Sequence, residues 1–168
     1  MKIINDFLPI EEFNYIRGTI LGDSFPWFFC NYVTNEDVLE DPKHRQFQFY
    51  CNLYANNIGV TDEIPGQIIK IFQYHLPDFS SFLRVKANLT PKSDTIKINE
   101  FHTDFPNVRH YNTAVFYVNT NNGYTLFEDG TKVNSEGNKI VIFDGNEPHT
   151  GSSCTNENCR VVINLNWV

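Results

Sequence analysis

Apolar positions recur at helical spacing in two places. Pro9 predicts the first residue of a helix whose stripe is Ile10, Phe13, Ile16 and Ile20, with Gly22 as its stop. A second helix is predicted from near Asp62, with Pro65 in its first turn and Ile68, Ile71, Phe72 and Leu76 on its apolar face; Pro77 ends it. Elsewhere the period is two, the mark of half-buried strands. Over residues 46–54, Phe47, Phe49, Cys51 and Leu53 share one face. Over residues 82–89, Leu83, Val85, Ala87 and Leu89 alternate with Arg84, Lys86 and Asn88. Further short strands are predicted at 111–118, 124–127, 131–133, 139–143 and 160–167, separated by turn signals.

Two helices and about seven short strands predict a mainly β protein with flanking α-helices. The helices pack on one side of a jelly roll, the double-stranded β-helix of cupin-like domains. An immunoglobulin-type sandwich is the competing all-β reading, and the leading helices count against it. Residues 1–168 are expected to form a single domain, with a helical N-terminal part over about 1–80 and a jelly-roll core over about 81–168.

Composition narrows the function classes. With 41% hydrophobic and 15% aromatic residues, the chain is not a solvated disordered one. Its 13 Lys and Arg stand against 20 Asp and Glu, a net charge of −7. That balance disfavours a nucleic-acid partner, which needs a basic face to displace counterions from phosphates. Glu36, Asp37, Glu40 and Asp41 add to it. Lys43, Arg45, Arg84, Lys86 and Arg109 are the residues from which a local basic strip could still form. No apolar run reaches the roughly 18 residues of a membrane span. Asn5 and Asp6 interrupt the first apolar segment too early for a secretory leader. The expected location is therefore cytoplasmic, and Cys30, Cys51, Cys154 and Cys159 are expected as reduced thiols.

Candidate chemistry starts at His102-Thr103-Asp104. On an extended segment His102 and Asp104 point the same way, supplying two ligands of a facial 2-His-1-carboxylate metal site. Chance alone supplies about 0.3 His-x-Asp pairs in a chain of this composition, so a polar loop is the competing reading. His149 lies 45 residues beyond Asp104, expected in a loop after an apolar strand. Singly it also reads as a solvated loop histidine. Arg160, 11 residues later, heads the last strand, where a guanidinium can grip a carboxylate bidentately or stand as a surface charge. His44 and His110 lack a partner pattern, and His75 reads as a charge at a helix C-terminus.

The order His-x-Asp, distal His, then Arg resembles the iron(II)/2-oxoglutarate-dependent dioxygenases, in particular their prolyl-4-hydroxylase-like branch. The resemblance extends to Arg109-His-Tyr-Asn-Thr113-Ala-Val-Phe-Tyr117-Val-Asn119 and to Asn122-Gly123-Tyr124-Thr125-Leu126-Phe127, where Tyr124 departs from an acidic position. It continues through Gly137 to Phe143 and Arg160-Val-Val-Ile-Asn164-Leu-Asn-Trp167, and covers residues 82–168.

The resemblance implies that His102, Asp104 and His149 hold Fe(II), and that Arg160 anchors the distal carboxylate of 2-oxoglutarate. Tyr117 and Asn164 match positions facing the cosubstrate, though both also read as ordinary barrel-lining residues. Asn88 stands where the branch often offers a Tyr toward the other end of 2-oxoglutarate. The implied reaction consumes O₂ and 2-oxoglutarate, hydroxylates a substrate C–H and releases succinate and CO₂. Asp104 favours hydroxylation over halogenation, because halogenating relatives lack that carboxylate. The expected substrate is a peptide or protein side chain, with proline first. No Asn-x-Tyr signature of the nucleic-acid-repair branch occurs over 94–101. A hydroxylase of a free amino acid or small metabolite, and a non-catalytic jelly-roll binding module, are the alternatives. A cupin without 2-oxoglutarate is disfavoured by Arg160 and by the aspartate among the ligands. The substrate mouth is expected over 34–54 and 105–111.

Overall fold

The computed structural model describes residues 1–33, 46–55, 58–59 and 63–168. The acidic stretch at Glu36 to Asp41, together with Lys43, His44 and Arg45, lies outside the described residues. Among the described residues no helix is long and apolar enough to cross a membrane, and all four cysteines are free.

Helix α1 (Ile10–Ile20) buries Phe13, Ile16 and Ile20. Pro9 is extended at φ −50° and ψ 142° and serves as the N-cap rather than the first helical residue. Ile10 was expected on the buried stripe but is 64% exposed; the contact face begins one turn into the helix, at Phe13. At the other end the Gly22 N–H bonds the Thr19 carbonyl, and a Cβ there would stand 2.8 Å from the Gly18 oxygen, so only glycine makes this return. Helix α2 (Glu63–His75) buries Ile68, Ile69 and Phe72, with Leu76 just past its end. His75 sits at that C-terminus and reaches Glu12 of α1, Nε2 to Oε2 at 2.7 Å, clamping the two helices.

The strands form two antiparallel sheets. The larger contains β1 (Lys2–Ile4), β2 (Phe28–Cys30), β3 (Gln48–Ala55), β4 (Ile58–Gly59), β5 (Phe82–Pro91), β6 (Asn112–Tyr117), β9 (Ile140–Asp144) and β11 (Cys159–Trp167). Its order is β1-β9-β6-β11-β5-β3-β2, with β4 paired to β3. The smaller sheet runs β10-β7-β8, from β7 (Tyr124–Phe127), β8 (Lys132–Asn134) and β10 (His149–Gly151).

Strand β11 shows how the layers are assigned. Val161, Ile163, Leu165 and Trp167 turn to the helices and join Phe13, Ile16, Ile68 and Phe72 in the main core. Val162 turns the other way and packs with Val115, Tyr117, Phe127, Val133, Val141 and Phe143 between the two sheets. Each fully buried Ile, Leu or Phe contributes about 1.5–3 kcal/mol, so these two layers hold the barrel. By the period of two, Arg160, Asn164 and Asn166 share the face of Val162. Polar side chains on an inward face are the first structural sign of a site.

Three expectations change. The strand expected over 46–54 is present as β3, and the first 80 residues also give β1, β2 and β4 to the large sheet, so they are not only helical. Strands of two or three residues are too short for an alternation signal and take their definition from a partner. Phe47 was expected to share the buried face of Cys51 and Leu53, yet it is 43% exposed; it clusters at the sheet edge with Phe29 and Phe49. Finally, His149 opens a strand rather than lying in a loop, because its backbone is bonded to both β7 and His102.

Candidate active site

The three ligand candidates meet through backbone pairing. The N–H of His102 donates to the His149 carbonyl at 3.0 Å, and the N–H of His149 donates to the His102 carbonyl at 3.0 Å. This isolated antiparallel bridge sets the two rings 5.0 Å apart, with Asp104 two residues on from His102. The ligand atoms of His102, Asp104 and His149 all lie within 4.8 Å of one another. Nδ1 of each ring stands 3.2 Å from the carbonyl oxygen two residues upstream, Glu100 for His102 and Glu147 for His149. A proton on Nδ1 satisfies that carbonyl and leaves the Nε2 lone pair for a cation.

Electrostatics prepare the same outcome. His149 is 3% exposed and packs against the Phe143 ring, with the Phe127 ring close by. Burial holds its pKa below the usual imidazole value, so the ring is neutral at neutral pH. Burial pushes the Asp104 carboxyl up, but the Arg84 guanidinium, His149, the Asn166 amide and His102 together bring it below the ordinary value. Arg84 Nη2 donates to Asp104 Oδ1 at 2.5 Å, and Asn166 Nδ2 donates to Oδ2 at 2.9 Å. Asn166 Nδ2 also donates to Thr113 Oγ1 at 3.0 Å, tying the carboxylate to β6. The Tyr111 hydroxyl completes the frame: it donates to the Gly145 carbonyl at 2.6 Å and accepts the Phe105 N–H at 3.1 Å. It thereby ties the segment after Asp104 to the turn that leads to His149.

Arg160 lies in the same cavity of about 280 Å³ as the three ligand candidates. It is 4% exposed. Its Nε donates to Ser135 Oγ at 2.8 Å and its Nη2 to Thr125 Oγ1 at 3.1 Å. Among the described residues no carboxylate pairs with it. Room for the guanidinium comes from two glycines: a Cβ on Gly123 would meet its Cδ at 2.7 Å, and one on Gly151 would meet Nη1 at 3.3 Å.

The other expected residues divide. Asn88 and Asn164 line the cavity. Tyr117 does not; it is fully buried beneath Arg160, its ring 5.6 Å from the guanidinium and its hydroxyl bonded to Thr125 Oγ1 at 2.8 Å. Burial pushes its phenol pKa up, so it supports Arg160 as a neutral hydroxyl. Residues at the site to which the sequence analysis gave no site role are Arg84, Lys86, Thr90, Asn166 and Tyr111. The register explains the first four. Across β11 and β5, Arg160 faces Thr90, Val162 faces Asn88, Asn164 faces Lys86 and Asn166 faces Arg84. These pairs line one continuous inward row. The alternation of Arg84, Lys86 and Asn88 was visible as a polar face, and only the second sheet turns it into a cavity wall.

No protein-family model matches the chain, and no curated protein matches it in sequence. Solved structures do match in fold. A 2OG-Fe(II) oxygenase family oxidoreductase from Burkholderia pseudomallei superposes with a TM-score of 0.70 at 8% identity, over 98% of this chain and 84% of that one. A prolyl hydroxylase from Trichoplax adhaerens, in complex with a hypoxia inducible factor oxygen degradation domain peptide fragment, gives 0.63 at 15%, over 99% and 82%. The viral collagen prolyl hydroxylase of Paramecium Bursaria Chlorella virus-1, in its 2OG complex, gives 0.58 at 14%, over 99% and 96%. The chain therefore has the double-stranded β-helix fold found in 2-oxoglutarate/Fe(II) oxygenases, with prolyl hydroxylases among its structural neighbours.

Proposed function

We propose that this chain acts as one domain and is an Fe(II)- and 2-oxoglutarate-dependent dioxygenase. It hydroxylates a C–H bond of a peptide or protein side chain, with proline as first candidate, and releases succinate and CO₂. The observation that carries the reading is a conjunction within one cavity. Two imidazoles and a carboxylate converge within 4.8 Å, and the same cavity holds a buried guanidinium that no acid among the described residues neutralises.

The donor set fits the group. Two nitrogens and one oxygen are the ligands of non-haem Fe(II) oxygenases, and three ligands leave positions for cosubstrate and O₂. Bound there, Fe(II) with 2-oxoglutarate would supply the oxidising power for C–H hydroxylation. The protein's own part is positional. His102, Asp104 and His149 hold the cation, and the lowered pKa values of His149 and Asp104 leave those two ready to bind it at neutral pH. Arg84 and Asn166 fix the Asp104 carboxylate, and Tyr111 fixes the turns on either side. Arg160, backed by Ser135, Thr125 and Tyr117, holds the distal carboxylate of 2-oxoglutarate, while Asn88 and Asn164 flank the path between the two ends. The peptide bound in the Trichoplax adhaerens structure supports a peptide substrate.

The test is succinate formation from 2-oxoglutarate by purified protein with Fe(II). It is run with proline-rich peptides, free proline and methylated oligonucleotides side by side, and with His149→Ala as control. Stimulation by a peptide and loss in the variant are expected. Metal binding with no turnover in any arm would leave a binding module; stimulation by the oligonucleotide alone would overturn the substrate class.

A further inference from the structure

Lys86 is the cation in this cavity for which the proposed reaction has no use. It lies on β5 between Arg84 and Asn88, opposite Asn164 of β11, and its side chain lines the cavity. It is half-buried, with Nζ 5.0 Å from the centroid of the Tyr50 ring. Among the described residues no carboxylate and no hydrogen-bond acceptor meets the ammonium. Its neighbour Arg84 is committed to Asp104.

Charge balance gives this isolation a direction. Among the described lining residues, three cations (Arg84, Lys86 and Arg160) face one anion, Asp104. A divalent metal adds two positive charges and a 2-oxoglutarate dianion removes two, so the loaded cavity keeps an excess of about two positive charges. Cosubstrate answers Arg160, and Asp104 answers Arg84 and part of the metal. Lys86 is left. A half-buried ammonium without an anion is costly, and a concave positive wall concentrates anions. The chain's net charge of −7 repels polyanions in general, so the attraction is local to the cavity. One compact ammonium matches a monoanionic carboxylate better than a doubly charged phosphate, which selects a fork of donors.

We propose that Lys86 anchors the substrate and that the substrate carries a carboxylate, either as a free acid or on an acidic residue beside the hydroxylated one. The assignment rests on the dioxygenase reading for its catalytic consequence, though not for the binding itself. The Tyr50 ring, 5.0 Å from the ammonium, attracts the charge without neutralising it, so an anion can still be its partner.

The experiment compares matched probes: free L-proline with L-prolinamide, and acetyl-Asp-Pro-amide with acetyl-Asn-Pro-amide. Binding is read by NMR titration of protein loaded with Zn(II) and 2-oxoglutarate, following backbone amide signals of the cavity-lining residues in wild type and variants alike. Turnover is read separately by succinate release and by a 16-Da gain in the probe. Wild type should prefer one acid over its amide partner at least tenfold, and the pair showing this tells free acid from acidic peptide. Lys86→Met should erase the preference while leaving 2-oxoglutarate affinity within about twofold, and Lys86→Arg should retain part of it. Equal binding of acids and amides by wild type would overturn the proposal. So would a Lys86→Met defect expressed mainly in 2-oxoglutarate affinity, which would make Lys86 a cosubstrate ligand. If acids bind Lys86-dependently and no turnover occurs, the carboxylate site stands and the dioxygenase reading falls.

Discussion

Replacing Arg160 with methionine separates two energies that the native side chain combines. The guanidinium is 4% exposed, bonded to the hydroxyls of Ser135 and Thr125 and stacked over Tyr117, with no carboxylate facing it among the described residues. Burial is the largest influence on its ionisation and works against the charge. Exchanging a buried charge for an apolar chain of similar length returns about 1–4 kcal/mol, and losing two hydrogen bonds takes back about 1 kcal/mol each. The ligand-free variant should therefore fall between about 1 kcal/mol below wild type and about 2 kcal/mol above it, a Tm from about 2–4 °C lower to about 4–8 °C higher for a chain of this size. Cosubstrate binding should move the opposite way. Removing the partner of the distal carboxylate costs about 2–4 kcal/mol, or roughly 30- to 1000-fold in Kd. Calorimetric unfolding with and without Mn(II) and 2-oxoglutarate, together with titration of the cosubstrate, reads both quantities. A variant destabilised by more than about 2 kcal/mol would make Arg160 a structural residue, and one that still binds 2-oxoglutarate with native affinity would remove it from the site.

Two further outcomes follow from the ligand environment. Arg84→Met leaves the Asp104 carboxylate, 5% exposed, with only the Asn166 amide; because the Arg84 side chain is 22% exposed, the expected cost in metal-free protein is about 2–3 kcal/mol, below the usual range for breaking a fully buried pair. Mn(II) supplies the missing positive charge, so urea unfolding should show the difference between variant and wild type shrinking by more than half when metal is added; an unchanged difference would mean that Asp104 does not meet the metal. For pH, the depressed pKa of His149 means the unfolded chain binds its proton first, so the metal-free protein keeps full stability above about pH 6.5 and loses it as pH falls. Asp104, also depressed, adds its own loss only below about pH 4. Denaturant midpoints in chelator at pH 7.5, 6.5 and 5.5 should decline in wild type and flatten in His149→Gln; a flat wild-type profile would contradict a neutral buried His149.

How much of this was legible in the sequence depends on whether a residue's role is set by its own strand or by another layer. Phe13, Ile16 and Ile20 announce a helix by spacing alone, and Val161, Ile163, Leu165 and Trp167 announce the helix-packed face of β11 in the same way. Arg160 stands out because it heads an otherwise largely apolar strand, and His102 and Asp104 because a period of two aims them together. Strands β1 and β10 carry no such signal. Each has three residues, and each exists because β9 or β7 offers an edge to pair with. Arg84 and Lys86 are the instructive case. The sequence offers them only as members of a possible basic strip, because alternation on one strand does not say what covers each face of its sheet. Here both faces of the sheet are used, so the face opposite the helices becomes the wall of a cavity in which a positive charge is uncommon and needs a partner. Arg84 has Asp104. Arg160 has the hydroxyls that hold its fork open toward the cavity. Lys86 has an aromatic ring beside it and no anion among the described residues, and a charge kept in that state inside a cavity is the kind that a ligand completes.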